Sequence, residues 1–440
     1  MMRHTAVVAL GFLFLVLGVS SCGSTPEITP YESSSLDRYV DAPDETYGWE
    51  RVGEPKVSGA FNVHDLRLVS QEWNGGEWRH KLRIFFPHKL ATSPTMVLLL
   101  IVGSGDGDEE IELGALLVNA IGAPVAVLHD VPNQPLLGGL REDALIAETL
   151  VRFLESGDDQ WPLLLPMVKS AVRAMDAIEN FVKVDLGTRT SGFVVTGGSK
   201  RAWTTWLAAA VDPRVKAIAP ISYDYLNLIA QMRHQTQTWG RFSEKISDYT
   251  RKGIADRLVS GDDMARRLSE IVDPYEYRDR ITVPKLMIVG TNDRYWPLDA
   301  MNLYYADLRG ERYIQYLPNA DHGLDSGRLN AVADIVAFFL KTDNRLSFPN
   351  LAWEFSEKKD YVDLTVNSDI EPSAIRVWLA RSETRDFRDA TWQAVALTKS
   401  DREYTYRLDT SEEGFVAILA EAVYGEGGSQ FYLSTNVRVF

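Results

Sequence analysis

The segment Val194–Val211 reads VVTGGSKRAWTTWLAAAV and runs from a β-branched pair through two glycines and a serine into an alanine-rich pattern. The first part predicts a strand and the part after Ser199 predicts a helix. A strand, a sharp turn with a serine at its tip and a helix form a nucleophile elbow, G-x-S-x-G, whose flanking residues must be small. Gly197 fills the first flank, but Arg201 stands at the second and Ala202 follows it. We therefore expect either a plain structural turn or an elbow in which Ala202 makes the close contact.

Two further residues favour the elbow. Asp293 follows the predicted strand KLMIVG, and His322 follows the next predicted strand in LPNADHGL. The order nucleophile, acid, base is that of α/β-hydrolases, and the carboxyl ends of parallel strands meet at one sheet edge. We expect His322 to take the proton of Ser199, and Asp293 to orient the imidazole. Three alternatives stay open: Asp293 stabilises a turn, His322 is bonded to Asp321, or Asp224, which follows the strand VKAIAPIS, is the acid.

The oxyanion hole of such a site combines the N–H after the nucleophile with one from the loop after an earlier strand. These positions are Lys200 and the turn VGSGDG, at Gly103 or Ser104, where glycine would let substrate approach closely. A phosphate-binding loop is disfavoured at this turn because the lysine of that motif is absent.

Two cations follow the serine directly. Lys200 and Arg201 could bind an anionic group of a substrate, or they could pack outward from the helix start. A cation at a helix N-terminus opposes the helix dipole, which favours a specific carboxylate partner. Trp203, Trp206 and Trp296 could form an aromatic wall, although the i, i+3 spacing of the first two is more typical of core residues.

Predicted strands and helices alternate over residues 36–344, which indicates an α/β-hydrolase fold with a mostly parallel sheet. A polar helical tract at about 223–277 interrupts the alternation, and it predicts a cap over the ligand-binding edge or a plain packing insertion. Residues 345–440 contain short strand-like runs about ten residues apart, which predicts a β-sandwich of the fibronectin III or immunoglobulin type.

Composition excludes several classes of function. The chain has 440 residues and a net charge of −15, which argues against nucleic acid as a partner because a phosphate backbone attracts a basic surface. The 7 histidines are scattered without the ligand spacing of a metal site. The single cysteine, Cys22, cannot form an intrachain disulfide. We expect neither a metal nor a cofactor.

The position of Cys22 is informative. Residues 1–21 have a basic start, an apolar run and small residues at the end, as signal peptides do, and VSSC resembles a bacterial lipobox. That resemblance implies cleavage before Cys22, a lipid on its sulfur, and residues 22–35 as a tether. We expect a lipid-anchored protein of the bacterial cell envelope, on the outer membrane or facing the periplasm. The alternative is a plain secretory signal and a secreted protein.

Long blocks of the chain resemble the PhoPQ-activated pathogenicity-related protein family. They include LDRYVDAPDETYGWE, SQEWNGGEWRH, EDALIAETLVRFL, VVTGGSKRAWTTWLAAAVDPRVKAIAP and GTNDRYWPLDAMNLYYADL. The resemblance implies an α/β-hydrolase related to prolyl peptidases and esterases, with a C-terminal β-domain. The elbow of that family is Gly-x-Ser-Lys-Arg-Gly, so Ala202 replaces its last glycine. In the blocks DVPNQPL and DDQWPLLLPM, Asn133, Gln134, Asp159 and Trp161 are candidate substrate contacts or loop braces.

Two functions follow. The first is a serine hydrolase, an esterase or a peptidase, that acts on a small-molecule ester or peptide at the cell envelope. The second is a catalytically silent binding or virulence-associated signalling protein on the same fold. In that case the β-domain would present the loops DFRDATW or YGEGGS to a partner. A third interpretation makes that domain a brace that covers the hydrolase sheet.

Overall fold

The central sheet is mixed, and its parallel half carries the strand ends that matter for the site. The computed structural model describes residues 33–104, 108–397, 403–411 and 413–440. The strands of this sheet are β1 (Gly48–Arg51), β2 (Lys56–Ser58), β3 (Phe61–Trp73), β4 (Gly76–Pro87), β5 (Thr95–Ile101), β6 (Val125–Leu128), β7 (Thr190–Gly198), β8 (Val215–Ile221), β9 (Lys285–Gly290) and β10 (Arg312–Leu317).

The strand order is β1-β3-β4-β6-β5-β7-β8-β9-β10, with β2 paired to β3. The pairs from β6 to β10 are parallel, whereas β1, β2, β3 and β4 make antiparallel pairs. Ile101 at the end of β5 pairs with Gly197 in β7, and Leu317 at the end of β10 pairs with Gly290 in β9. Because these ends are in register, the loops that follow them lie along one edge of the sheet.

Helices cover both faces of this sheet, so its parallel strands are almost wholly apolar and buried. The helices are α1 (Ser35–Asp41), α2 (Asp108–Ile121), α3 (Glu142–Ser156), α4 (Leu164–Asp185), α5 (Lys200–Val211), α6 (Leu228–Trp239), α7 (Ser247–Thr250), α8 (Ile254–Ser260), α9 (Asp263–Val272) and α10 (Arg328–Thr342). Short 3₁₀ helices are Glu244–Ile246, Pro274–Tyr277, Ala300–Leu303, Tyr305–Asp307 and Gly427–Ser429. Helices α2 and α10 pack on one face of the sheet, and α4 and α5 pack on the other.

Helices α6 to α9 occupy the tract between β8 and β9 in which the sequence predicts a cap. Asp262 begins α9 by accepting the N–H of Ala265 at 3.0 Å. Three of these helices, α7, α8 and α9, pack against α3. The tract is therefore held to the rest of the molecule along one side of α3.

The C-terminal residues form two antiparallel sheets. Their strands are β11 (Leu351–Glu357), β12 (Tyr361–Ser368), β13 (Ala374–Ser382), β14 (Gln393–Ala396), β15 (Tyr404–Asp409), β16 (Phe415–Tyr424), β17 (Phe431–Ser434) and β18 (Arg438–Val439). One sheet has the order β11-β12-β15, and the other has the order β14-β13-β16-β17 with β18 paired to β16. Strand β16 is buried on both faces: Ile418 packs between the two C-terminal sheets, while Leu419 joins the core that includes α4 and α5.

Residues 34–440 form one compact unit. Ser34 and Ser35, which the sequence analysis placed in the tether, cap and begin α1, and Asp37 in this helix binds Arg280 at 2.6 Å. Cys22 and the predicted signal peptide lie outside the described residues and stay predictions. Among the residues that are described, no helix is both long enough and apolar enough to cross a membrane.

Candidate active site

Ser199 lies on a strained turn between β7 and α5. Its backbone angles, φ of 55° and ψ of −120°, lie outside the regions that residues other than glycine ordinarily adopt. The Ser199 N–H donates to Ile221 O at 2.8 Å, which ties the turn to the neighbouring strand β8. A Cβ at Gly197 would lie 2.9 Å from Cβ of Arg201, so this close approach excludes larger residues at position 197. The predicted close contact by Ala202 is therefore wrong, because Arg201 makes this contact.

Two other predicted residues meet Ser199. The imidazole of His322 places Nε2 at 3.0 Å from Ser199 Oγ and Nδ1 at 2.7 Å from Asp293 Oδ2. Because a carboxylate can only accept, Nδ1 carries a proton, and the neutral ring presents the lone pair of Nε2 to the serine hydroxyl. This is the hydrogen-bond arrangement that a general base requires.

Local contacts hold the histidine and the aspartate. Asp293 accepts the N–H of Tyr295 at 2.8 Å, and the hydroxyl of Ser222 donates to His322 O at 2.8 Å. The Tyr295 ring lies 4.2 Å from the imidazole. A Cβ at Gly290 would lie 2.4 Å from Ala320 O, so glycine is required where the acid-bearing strand meets the histidine loop.

The rival acid has a different partner. Asp224 accepts the Tyr304 hydroxyl at 2.7 Å and is 7% exposed. Burial is the largest cause that raises the pKa of Asp224 to about 8; the Tyr304 hydrogen bond opposes this rise, and the Asp293 charge contributes to it. A carboxyl that stays protonated at neutral pH cannot stabilise an imidazolium. The remaining alternative, Asp321, accepts the N–H of Gly323 at 3.0 Å.

The positions proposed for an oxyanion hole lie at the start of α5 and in the turn that follows β5. The N–H of Lys200 is the first in α5 and therefore has no acceptor within the helix. Gly103 and Ser104 follow β5, which pairs with β7, and residues 105–107 of the same turn lie outside the described residues. A Cβ at Gly103 would lie 2.4 Å from the Arg201 guanidinium. Glycine here makes room for Arg201, not only for a substrate.

Both cations after the serine bind carboxylates of α3. Arg201 donates to the two Glu142 oxygens at 2.7 Å each and to Val131 O at 2.6 Å, and it is 8% exposed. Lys200 Nζ lies 3.0 Å from Asp143 Oδ2. The predicted role of Arg201 in substrate binding is therefore not supported, because its charge is paired with Glu142 and the side chain is buried.

The Glu142 carboxylate is strongly stabilised in its charged form. Burial alone would raise its pKa, but the hydrogen bonds and charge of Arg201, with a hydrogen bond from Gln134, lower the pKa of Glu142 to about 2. Gln134 also reaches Ser104 Oγ at 3.2 Å. Gln134 thus braces the turn after β5.

An apolar cavity opens beside Ser199 and His322, with a volume of about 60 Å³. Its walls come from α3, α5 and the cap helices, and Met232, Leu258 and Val272 are among them. Asp143 is one of the residues on the cavity wall. Lys200 pairs with the charge of its carboxylate, and the Tyr249 hydroxyl donates a hydrogen bond to it.

The predicted aromatic and loop residues divide between this cavity and other places. Trp203 and Trp296 line the cavity, and Trp296 stacks on Tyr225 at 3.8 Å. Trp206 is fully buried in the core, as its spacing suggested. Trp161 lies in a separate groove, against Trp73 and under Arg152, away from the cavity.

Two more candidate contacts act as braces. Asn133 donates to Arg79 O at 2.9 Å. Asp159 binds Ser35 and Arg267, each at 2.6 Å. Within the described parts of the chain, no cluster of His, Cys, Asp and Glu could hold a metal ion.

Sequence reasoning missed four side chains that support the site: Glu142, Asp143, Asn292 and Asn319. A signal existed for the two acids, because a pair of cations at a helix start calls for carboxylate partners. No comparable signal marked the asparagines, whose side-chain N–H groups donate to residues more than seventy positions away.

A mostly parallel sheet, a serine on a strand–turn–helix elbow, and an acid and a histidine after later strands define the α/β-hydrolase class, as predicted. Residues 36–388 match the family described as PhoPQ-activated pathogenicity-related protein, and the chain belongs to this family. It is also 33% identical over 453 residues to Autocrine proliferation repressor protein A of Dictyostelium discoideum, covering 94% of this chain and 88% of that protein.

One of two similar solved structures reaches a TM-score of 0.50. The acetyl xylan esterase from Paenibacillus sp. R4 superimposes with a TM-score of 0.50 at 15% identity, covering 68% of this chain and 91% of that one. For acetyl xylan esterase 1 from Thermoanaerobacterium sp. JW/SL YS485 the TM-score is 0.48 at 18% identity, with 70% and 92% coverage. At this identity the first of these matches establishes the fold alone.

Proposed function

We propose that this protein is a serine hydrolase that cleaves an ester or amide bond of a small molecule or peptide. The observation that carries the proposal is the continuous chain of hydrogen bonds from Ser199 Oγ through His322 to Asp293 on a strained elbow. Strain of this kind persists only where surrounding structure enforces it, and it is common at catalytic nucleophiles.

The reaction would proceed in two steps. Ser199 Oγ attacks the carbonyl carbon while His322 Nε2 takes its proton, and the N–H groups of Lys200 and of Gly103 or Ser104 stabilise the oxyanion. The imidazolium then protonates the leaving alcohol or amine as its bond to the acyl carbon breaks. Water attacks the acyl-enzyme, gives a proton to His322, and the acid is released as Ser199 regains its proton.

The surroundings of the serine favour an uncharged substrate group. Lys200 and Arg201 are paired with Asp143 and Glu142, so their charges are not available to an anionic group. The cavity is apolar and its volume of about 60 Å³ is small. We therefore propose that an apolar group next to the scissile carbonyl occupies it. A lipid on Cys22 and a place in the bacterial envelope remain part of the proposal.

Labelling with a fluorophosphonate tests the nucleophile. We expect the probe to modify Ser199 in the wild-type protein and to leave Ser199→Ala unmodified, with hydrolysis of a p-nitrophenyl ester falling about 10⁴-fold or more. Ser429→Ala is the control, since this serine is exposed and its hydroxyl donates to Glu426 O within its own turn, away from the cavity. A folded wild-type protein that is not labelled would contradict the proposal.

The two acids give a second test. Asp293→Asn removes the carboxylate that orients His322 and should lower kcat by about 10⁴-fold. Asp224→Asn replaces a carboxyl that is protonated at neutral pH, so kcat should stay within about twofold of wild type. If the Asp224 variant lost as much activity as the Asp293 variant, the assignment of the acid would be wrong.

The silent binding function draws no support from the loop DFRDATW. Phe387 and Trp392 within it are 2% and 3% exposed, so its aromatic side chains are not presented to a partner. The loop YGEGGS includes the short turn Gly427–Ser429, which is exposed. Exposure alone does not identify a partner for it.

A further inference from the structure

The loop 383–392 between β13 and β14 reaches from the C-terminal sheets to the back of the candidate active site. Its aromatic residues Phe387 and Trp392 are buried in the core that includes α4 and α5. The Arg388 guanidinium stacks on Trp239 at 4.2 Å and binds Glu244 at 3.0 Å, and both partners belong to the cap tract. The loop is therefore anchored at two places around the site.

The acid-bearing loop is bonded to this segment directly. Asn292, the neighbour of Asp293, directs its side-chain amide at three backbone carbonyls of the loop, with distances of 2.7 Å to Ala390 O and 3.2 Å to Arg388 O. The third, Phe387 O, lies at 3.5 Å. Arg294, which follows Asp293 directly, also forms an ion pair with Asp389 of this loop.

The histidine loop is bonded to the same segment. Asn319, three residues before His322, accepts the N–H of Trp392 at 2.8 Å and donates to Trp392 O at 3.1 Å. These two bonds have the pattern of a hydrogen-bonded residue pair in an antiparallel sheet. Asn319 has a φ of 60°, a conformation in which asparagine is favoured over most residues.

Thr291 joins the two asparagines to each other. Its hydroxyl donates to Asn292 Oδ1 at 2.8 Å and accepts the N–H of Asn319 at 2.9 Å. The acid loop, the histidine loop and the loop 383–392 thus form one hydrogen-bonded network. None of these bonds touches the hydroxyl of Ser199.

We infer that Asn292 and Asn319 are positioning residues, through which the loop 383–392 of the C-terminal sheets holds Asp293 and His322 in hydrogen-bonding register. The inference rests on the proposed function for its catalytic consequence, but the alignment of the two side chains is a property of the fold. On this inference, the C-terminal sheets help to align the candidate catalytic residues. A displacement near 1 Å at a catalytic group can cost about 100-fold in rate, so small losses of alignment are measurable.

The experiment compares Asn292→Ala and Asn319→Gly with a matched control, Asn302→Ala. Asn302 also bridges to the C-terminal sheets, through Val437 O at 2.9 Å and Asn436 at 2.8 Å, but it lies on neither loop. Asn319→Gly keeps the left-handed backbone while deleting the side chain. We expect kcat for a p-nitrophenyl ester to fall about 10- to 100-fold in the two test variants, with KM within about twofold, and to change little in the control.

Partial rescue and a spectroscopic readout separate positioning from stability. Asn319→Asp retains the acceptor for Trp392 N–H and loses the donor, so its kcat should lie between those of the wild type and of Asn319→Gly. The downfield proton resonance of the His322–Asp293 hydrogen bond should weaken or shift in Asn292→Ala and Asn319→Gly and persist in Asn302→Ala. Thermal unfolding of every variant shows whether each is folded at the assay temperature.

The outcomes also distinguish the two proposals. If the test variants lowered only the unfolding temperature, and left kcat and the proton resonance like those of Asn302→Ala, the positioning role would be refuted. If the wild-type protein were neither labelled nor active, the proposed function would fail, while the resonance would still decide whether the loop aligns the pair.

Discussion

At the scale of single residues, the candidate site depends on buried ion pairs next to the serine. Glu142 and Arg201 form a bidentate pair beside the elbow, and the close approach of Arg201 explains the glycines at positions 103 and 197. Arg201, which replaces the second glycine of the elbow motif, therefore helps to hold the turn in place. The Arg201 guanidinium packs against Gly103 and also compensates the charge of Glu142.

Removing Arg201 tests this structural role. Arg201→Leu leaves the Glu142 carboxylate without its two donors, and we expect the free energy of unfolding to fall by about 2 kcal/mol, a figure discounted for the partial exposure of Glu142. Urea unfolding measures the change. Arg266→Leu is the control, because its pair with Asp263 is exposed and should be worth less than about 0.5 kcal/mol. Equal losses in the two variants would contradict the structural role.

Asp334 predicts a pH dependence of stability. Its side chain is fully buried, one oxygen accepts Tyr432 N–H at 2.6 Å, and the other has no hydrogen-bond partner among the described residues. Burial raises the pKa of Asp334 well above its ordinary value of 3.8, against a lowering by Tyr432, and the Glu421 charge adds to the rise.

An acid whose pKa is raised by folding keeps its proton in the folded state while the unfolded chain loses it. Its contribution to stability therefore declines as pH rises above the ordinary value of 3.8. Asp334→Asn retains the acceptor for Tyr432 and cannot ionise, so its stability relative to wild type should increase between about pH 5.5 and pH 8.5. Urea unfolding at both values checks this, with the exposed Asp325→Asn as control. A difference that did not change with pH would be the contrary result.

At the scale of elements, the cap is joined to α3 by polar contacts as well as packing. The Tyr249 hydroxyl in α7 donates to Asp143 at 2.9 Å, and Lys252 binds Glu148 at 2.8 Å. Both acids belong to α3. Tyr249 and Asp143 also line the cavity, so we expect the cap and the N-terminus of α3 to move together.

Tyr249→Phe tests this coupling. Loss of a hydrogen bond to a charged group should loosen α7 and raise KM about threefold to tenfold with little change in kcat. Hydrogen exchange of residues 247–260 should become faster. Tyr275→Phe is the control, since its hydroxyl binds Asp307 at 2.7 Å in an exposed place that does not line the cavity. A KM that rose equally in both variants would argue against the coupling.

At the scale of the whole molecule, the C-terminal sheets share a core with the hydrolase sheet. Phe387, Trp392, Leu419 and Val437 belong to the same cluster as the residues of α4 and α5. From the sequence we predicted a division near residue 345 and, as a third interpretation, a C-terminal brace over the hydrolase sheet. Both stay predictions, and the shared core is the observation that supports a brace.

Calorimetry of the whole chain tests how far this sharing goes. Because residues 34–440 form one compact unit and each buried cluster contains residues of both parts, we expect one cooperative unfolding transition, with a calorimetric enthalpy close to the van't Hoff enthalpy. Two resolved transitions would show that the parts unfold independently.

Local pattern determined the elbow and the order of the three candidate catalytic residues. Buried parallel strands read as apolar runs, their ends share one sheet edge, and residues just after them can be placed without knowing the packing. That is why Ser199, Asp293 and His322 could be assigned from the sequence, and why the α/β-hydrolase class was predicted correctly.

Only the tertiary structure decided which carboxylates satisfy Lys200 and Arg201, that Asp224 faces Tyr304 instead of His322, and that loop 383–392 lies behind the acid and the histidine. The physical reason is common to all three. Each contact joins residues more than fifty positions apart, and its energy depends on burial and direction that no local period or spacing records.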